Sequence, residues 1–128
     1  MKKLIYLLMV VPFCSIAGEA DIVNVIIRHS FDDVYNFDVT VKHEDEGWDH
    51  FVNGWEVLSP DGKVLAVRVL RHPHANEQPF TRSMPVQIPQ DISEVIVRAH
   101  DSVHEYGGRE MTVKLPLPKP ENETINAD

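Results

Sequence analysis

Tyr35-Asn36-Phe37-Asp38-Val39-Thr40-Val41-Lys42 alternates apolar and polar residues with a period of two. Successive side chains on a strand point to opposite faces, so this octet reads as a β-strand with one buried face. Its residues are aromatic and β-branched types that suit a pleated surface. The same period continues outward in both directions. Val23, Val25 and Ile27 share one parity before it. After it come Phe51, Trp55 and Val57; Leu65, Val67 and Val69; Phe80, Met84, Val86 and Ile88; Val95, Val97 and Ala99; and Met111, Val113 and Leu115. Each set is read as a half-buried strand. Ser59-Pro60-Asp61-Gly62 is a hairpin signal, and Ile88-Pro89-Gln90-Asp91 and Tyr106-Gly107-Gly108 break the later runs. Seven short strands at this spacing predict an all-β, seven-stranded immunoglobulin-like antiparallel sandwich, with Trp55 as a buried tryptophan of the third strand. A single sheet or an open barrel satisfies the same pattern.

The ends of the chain read differently. Met1-Lys2-Lys3, an apolar run from Leu4 to Phe13, and Ser15-Ile16-Ala17 form a cationic segment, a short hydrophobic core and a small-residue cleavage region. The expectation is a signal peptide over residues 1–17, with a cut after Ala20 as the alternative. The apolar run is shorter than the roughly 20 residues a bilayer span needs. Cys14 raises lipid attachment, but Phe13 stands where that site wants a small residue. Residues 18–115 are then the sandwich domain. Residues 116–128, with prolines at 116, 118 and 120 and no apolar period, read as a disordered, solvated tail.

Export sets the chemistry. Cleavage removes the only cysteine and two lysines, moving the net charge from −8 to about −10. No disulfide remains in a periplasmic or extracellular compartment that would permit one. An acidic surface repels phosphate and argues against a nucleic-acid partner. No segment after the leader is long and apolar enough for a membrane. Cationic partners, metal ions among them, remain.

If consecutive strands run in opposite directions, the second, fourth and sixth connections share one pole. They are 43–50, 71–79 and 100–109, and they contain His43, His50, His72, His74, His100 and His104. His29 alone falls at the other pole. Imidazole is the commonest protein metal ligand, and mixed imidazole–carboxylate sets suit zinc, copper or iron. His72-Pro73-His74 holds two imidazoles at i and i+2 on a stiff backbone. His100 and His104 converge if their loop coils. Asp45, Asp49, Asp101 and Glu105 are available to complete a shell. A transition-metal ion is therefore the expected cofactor, although loop histidines such as His43 and His50 also serve simply by hydrogen bonding to their own acidic loop. Asp101-Ser102-Val103-His104 is not read as a hydrolase fragment, because triads are assembled in space and no G-x-S-x-G elbow is present. No catalytic residue is assigned. Trp48, at a loop tip between Gly47 and Asp49, is either a lid over its own loop or an anchor for a periplasmic protein partner.

The stretch from His43 to the last strand resembles small exported immunoglobulin-like bacterial proteins and, more distantly, the Z subunit of the thiosulfate-oxidising carrier complex. The carrying residues are Asp61-Gly62-Lys63 leading into a strand that ends at Leu70-Arg71-His72-Pro73, then Asn76 to Phe80, then a final strand pair joined by an acidic loop. That resemblance implies a non-catalytic subunit that docks a cysteine-bearing partner in a redox or sulfur-oxidation complex. His72-Pro73-His74 and Asp101-Ser102-Val103-His104 also resemble the iron-holding segments of superoxide reductases. Here Asp101 stands where that family places its cysteine, and Gln78 stands near an expected histidine.

Overall fold

The computed structural model describes residues 19–44, 47–74 and 76–116. The expected leader over 1–17, the residues Asp45 and Glu46 of the second connection, and all of the expected tail after Pro116 lie outside them. Among the described residues, no helix is long and apolar enough to cross a membrane.

The chain forms seven strands: β1 Asp21–Phe31, β2 Val34–Lys42, β3 Val52–Leu58, β4 Val64–Val69, β5 Phe80–Gln87, β6 Glu94–Asp101 and β7 Met111–Lys114. They make two antiparallel sheets, ordered β1-β2-β5 and β4-β3-β6-β7, packed as a sandwich. The fourth strand pairs with β3, so the second sheet carries four strands. In the alternative arrangement of antibody constant domains it would extend the first sheet instead.

The inner faces follow the predicted parity most closely in β2 and β6. Tyr35, Phe37, Val39 and Val41 from one sheet meet Trp55, Val57, Val95, Val97 and Ala99 from the other, all buried. Phe80, Val86 and Ile88 fill the third flank. The β3–β4 turn closes on Ser59, whose amide donates to the Lys63 carbonyl, while the Gly62 amide donates to the Ser59 carbonyl. Gly62 takes φ of +89°, a conformation open to glycine at no steric cost.

Two expected alternations are corrected. Val23 is exposed, because the β1–β2 register shifts between Ile22 and Asn24 and Ile22 takes the buried place. An inserted residue sends the following side chains to the other face. Val67 and Val69 are 53% and 54% exposed. In the β3–β4 register Trp55 faces Arg68 and Val57 faces Ala66, so the inward positions of β4 belong to Ala66 and Arg68. The run Val64-Leu65-Ala66-Val67-Arg68-Val69 holds apolar residues on both parities, and register with Trp55 decided between them.

The two faces of β4 and β3 predict different costs. Trp55→Ala should destabilise the protein by about 3–5 kcal/mol, through lost burial and a residual cavity. Val67→Ala should stay within about 0.5 kcal/mol. Urea denaturation of the two variants checks the assignment of faces; a similar loss in both would contradict it.

Candidate metal centre

Antiparallel order places the connections 43–51, 70–79 and 102–110 at one end of the sandwich. His43 follows the last residue of β2, and His50 stands two residues before β3. Both are buried. Asp101 is the last residue of β6. It continues the inward parity of Val95, Val97 and Ala99, so its carboxylate enters the top of the core and is 0% exposed.

Local hydrogen bonding fixes that carboxylate. Asp101 Oδ1 accepts from the amides of Val103 (2.8 Å) and His104 (2.6 Å). This is the side-chain turn that aspartate forms with the backbone two and three residues on. The Glu105 amide donates to the Asp101 carbonyl (3.2 Å), and Glu105 takes φ of +57°. The coil brings His104 back over Asp101. Burial alone would raise the Asp101 pKa. The amides of His104 and Val103 and the imidazoles of His104 and His43 outweigh it, and the carboxyl is held below its ordinary value. Asp101 is ionised at neutral pH.

The imidazoles gather on this anion. His43 Nε2 lies 3.2 Å from His50 Nε2. His50 Nε2 lies 3.2 Å from Asp101 Oδ1 and 3.2 Å from His104 Nδ1. His104 Nδ1 lies 3.3 Å from Asp101 Oδ1. Ligand atoms of His43, His50 and Asp101 all fall within 4.8 Å of one another, a buried group that could hold a metal ion. Asp101 Oδ2 is buried without a hydrogen-bond partner among the described residues. His104 is the member that reaches solvent.

The other expected ligands are distributed differently. His74 is buried and stacked flat on Phe80, with ring centroids 4.1 Å apart and planes at 12°. His72 is exposed, with its ring 4.9 Å from that of His74. Gln78 links this loop to the cluster: its Oε1 accepts from the His43 amide (2.9 Å), and its Nε2 donates to the His74 carbonyl (3.0 Å). Asp49 and Glu105 are exposed, and Asp45 lies outside the described residues. His100 precedes Asp101 on the strand and so points to the opposite, outer face of the sheet. There its Nδ1 hydrogen-bonds Asn53 Oδ1, and its ring meets Tyr106 edge-on at 4.7 Å. The expected convergence of His100 with His104 is therefore not seen. Trp48 is 69% exposed and packs edge-on against Phe51. His29, at the other pole, donates from Nε2 to the Asp32 carbonyl.

A second polar network escaped the sequence reading. On the outer face, Glu56 faces Arg98 across β3 and β6, and Arg98 Nε donates to Glu56 Oε1 (2.5 Å). Tyr106 donates its hydroxyl to Glu56 Oε2 (3.2 Å) and lies under the Arg98 guanidinium at 3.9 Å. Glu56 and Tyr106 line a pocket of about 200 Å³ with Asn53, Gly54, Trp55, Val67 and His100. The usable signal was the pair of opposite charges, Glu56 and Arg98, each interrupting an apolar strand.

No family model matches the chain, and no solved structure matches it. A protein of Halomicrobium mukohataei named "Putative lipoprotein" is 38% identical over 95 residues, covering 74% of this chain and 47% of that protein. The chain thus spans about half the length of the curated relative it matches. The likeness to the Z subunit of the thiosulfate-oxidising complex gains no support from these comparisons.

Burial, and then the neighbouring Glu56 carboxylate, raise the Tyr106 phenol above its ordinary pKa. Phenolate absorbance should therefore place Tyr106 above the usual value near 10. It is assigned by subtracting the titration of Tyr106→Phe, and Glu56→Gln should bring it back down. An unshifted phenol would contradict the outer-face geometry.

Proposed function

We propose that this chain is an exported, envelope-associated module that binds one transition-metal ion at His43, His50 and Asp101, with His104 as the solvent-side fourth ligand. The observation that carries the reading is Asp101. It is a fully buried carboxylate, held below its ordinary pKa, with one oxygen lacking a hydrogen-bond partner among the described residues and with imidazole nitrogens beside it. A buried charge without compensation is costly, and buried anions are ordinarily paired or bound to metal. The donor spacing supports the same reading. Bonds of 2.0–2.1 Å in a tetrahedron put neighbouring ligand atoms about 3.3 Å apart. The contacts around His50 Nε2 and Asp101 Oδ1 are 3.2 to 3.3 Å.

Export is supported by the leader-like first residues and by the name of the Halomicrobium protein, which as a lipoprotein would sit at the cell envelope. The role is binding rather than catalysis. Ser102, close to His104 in sequence, is accounted for structurally, its Oγ accepting from the Phe51 amide. A second reading, docking of a periplasmic protein partner, is favoured by the exposure of Trp48 and Val103 at the same pole.

Isothermal titration with Zn²⁺, Cu²⁺ or Ni²⁺ should show one ion per chain. Saturation at 100 times the Kd should stabilise the fold by about 2.7 kcal/mol. His50→Ala should weaken binding by roughly 100-fold or more, while His100→Ala and His72→Ala leave it within a few-fold. Absence of stoichiometric binding, or equal loss in the His100 variant, would overturn the assignment.

A further inference from the structure

We infer that this site is built for a divalent ion and discriminates against cuprous copper; the inference rests on the metal-binding reading above. The donor set is imidazole nitrogen and carboxylate oxygen. Soft thiolate and thioether ligands select Cu⁺, whereas imidazole and carboxylate suit divalent ions. The described residues bring no sulfur to the histidine pole. Met84 and Met111 lie on β5 and β7, packed against the core. Cys14, Met1 and Met9 belong to the first 17 residues.

Geometry excludes one cuprous arrangement. Two-coordinate Cu⁺ on a pair of imidazoles is linear, which puts the two nitrogens on opposite sides of the ion and about 4 Å apart, twice a metal–nitrogen bond. His43 Nε2 and His50 Nε2, and His50 Nε2 and His104 Nδ1, are each 3.2 Å apart. These spacings fit bonds bent towards the tetrahedral angle. Asp101 cannot swing aside to leave a bare imidazole pair, because the amides of Val103 and His104 hold it. The chain's net charge of −8 further favours the more highly charged ion. Among divalent ions the imidazole set follows the usual order, with Cu²⁺ tightest.

The test compares Zn²⁺, Cu²⁺ and Cu⁺ on the same purified protein by competition with chromogenic chelators, Cu⁺ under anaerobic reducing conditions. Cu⁺ should bind at least about 100-fold more weakly than Cu²⁺, and Zn²⁺ should bind stoichiometrically. His104→Met, at the exposed position, should shift the preference towards Cu⁺ by supplying a thioether. Cu⁺ binding as tight as Cu²⁺ in the native chain would overturn the divalent assignment and leave the metal site standing. Failure of all three ions to bind, or binding unchanged in both His50→Ala and His104→Ala, would remove the site itself and this inference with it.

Discussion

The Asp101 carboxylate, carried into the top of the core by the alternation of β6 and held there by the amides of Val103 and His104, sets the terms for the histidine pole. An anion in that place needs polar partners. The chain meets it with His50 at 3.2 Å and His104 at 3.3 Å, and His43 closes on His50. Two connections that are remote in sequence, 43–51 and 102–110, are thereby drawn together at the end of β6. Gln78 ties the fourth connection to the start of the second, so the His74 loop is attached to the same cluster without its ring joining the group around Asp101.

The sandwich makes this possible because its strands are rigid and its poles are loops. The same β6 strand serves two faces at consecutive residues. Asp101 turns in towards the imidazoles, while His100 turns out to Asn53 and Tyr106. The outer face then has its own neutralised carboxylate, Glu56, satisfied by Arg98 and Tyr106. The contrast is informative. Glu56 has an arginine and a phenol for partners, whereas Asp101 faces only titratable rings and amides and keeps one oxygen unpaired among the described residues. Of the two carboxylates, Asp101 has the environment of a ligand.

Much of the fold was legible in the sequence, because a period of two survives wherever one face is buried. β2 and β6 are the clear cases. β4 was misread because valines occupy both of its parities, and only register against Trp55 decides which of them is inside. Val23 was misread because a bulge leaves no mark on an apolar run. The pole was legible in the same way: loop parity gathers six histidines without any knowledge of contacts. Which of them meet was not legible. Sequence reasoning gave weight to the stiff His72-Pro73-His74 pair, but His74 stacks on Phe80 and His72 faces solvent. His43 and His50, which as loop residues could equally have been solvated, are buried because they flank strand ends beside Asp101.

The central claim is that an ion at this pole would be held chiefly by imidazole in a four-coordinate shell. X-ray absorption fine structure at the zinc edge, on protein loaded with one Zn²⁺, tests it directly. The account predicts four nitrogen or oxygen donors at about 2.0 Å with strong outer-shell imidazole scattering. A six-coordinate oxygen shell without imidazole scattering would contradict it.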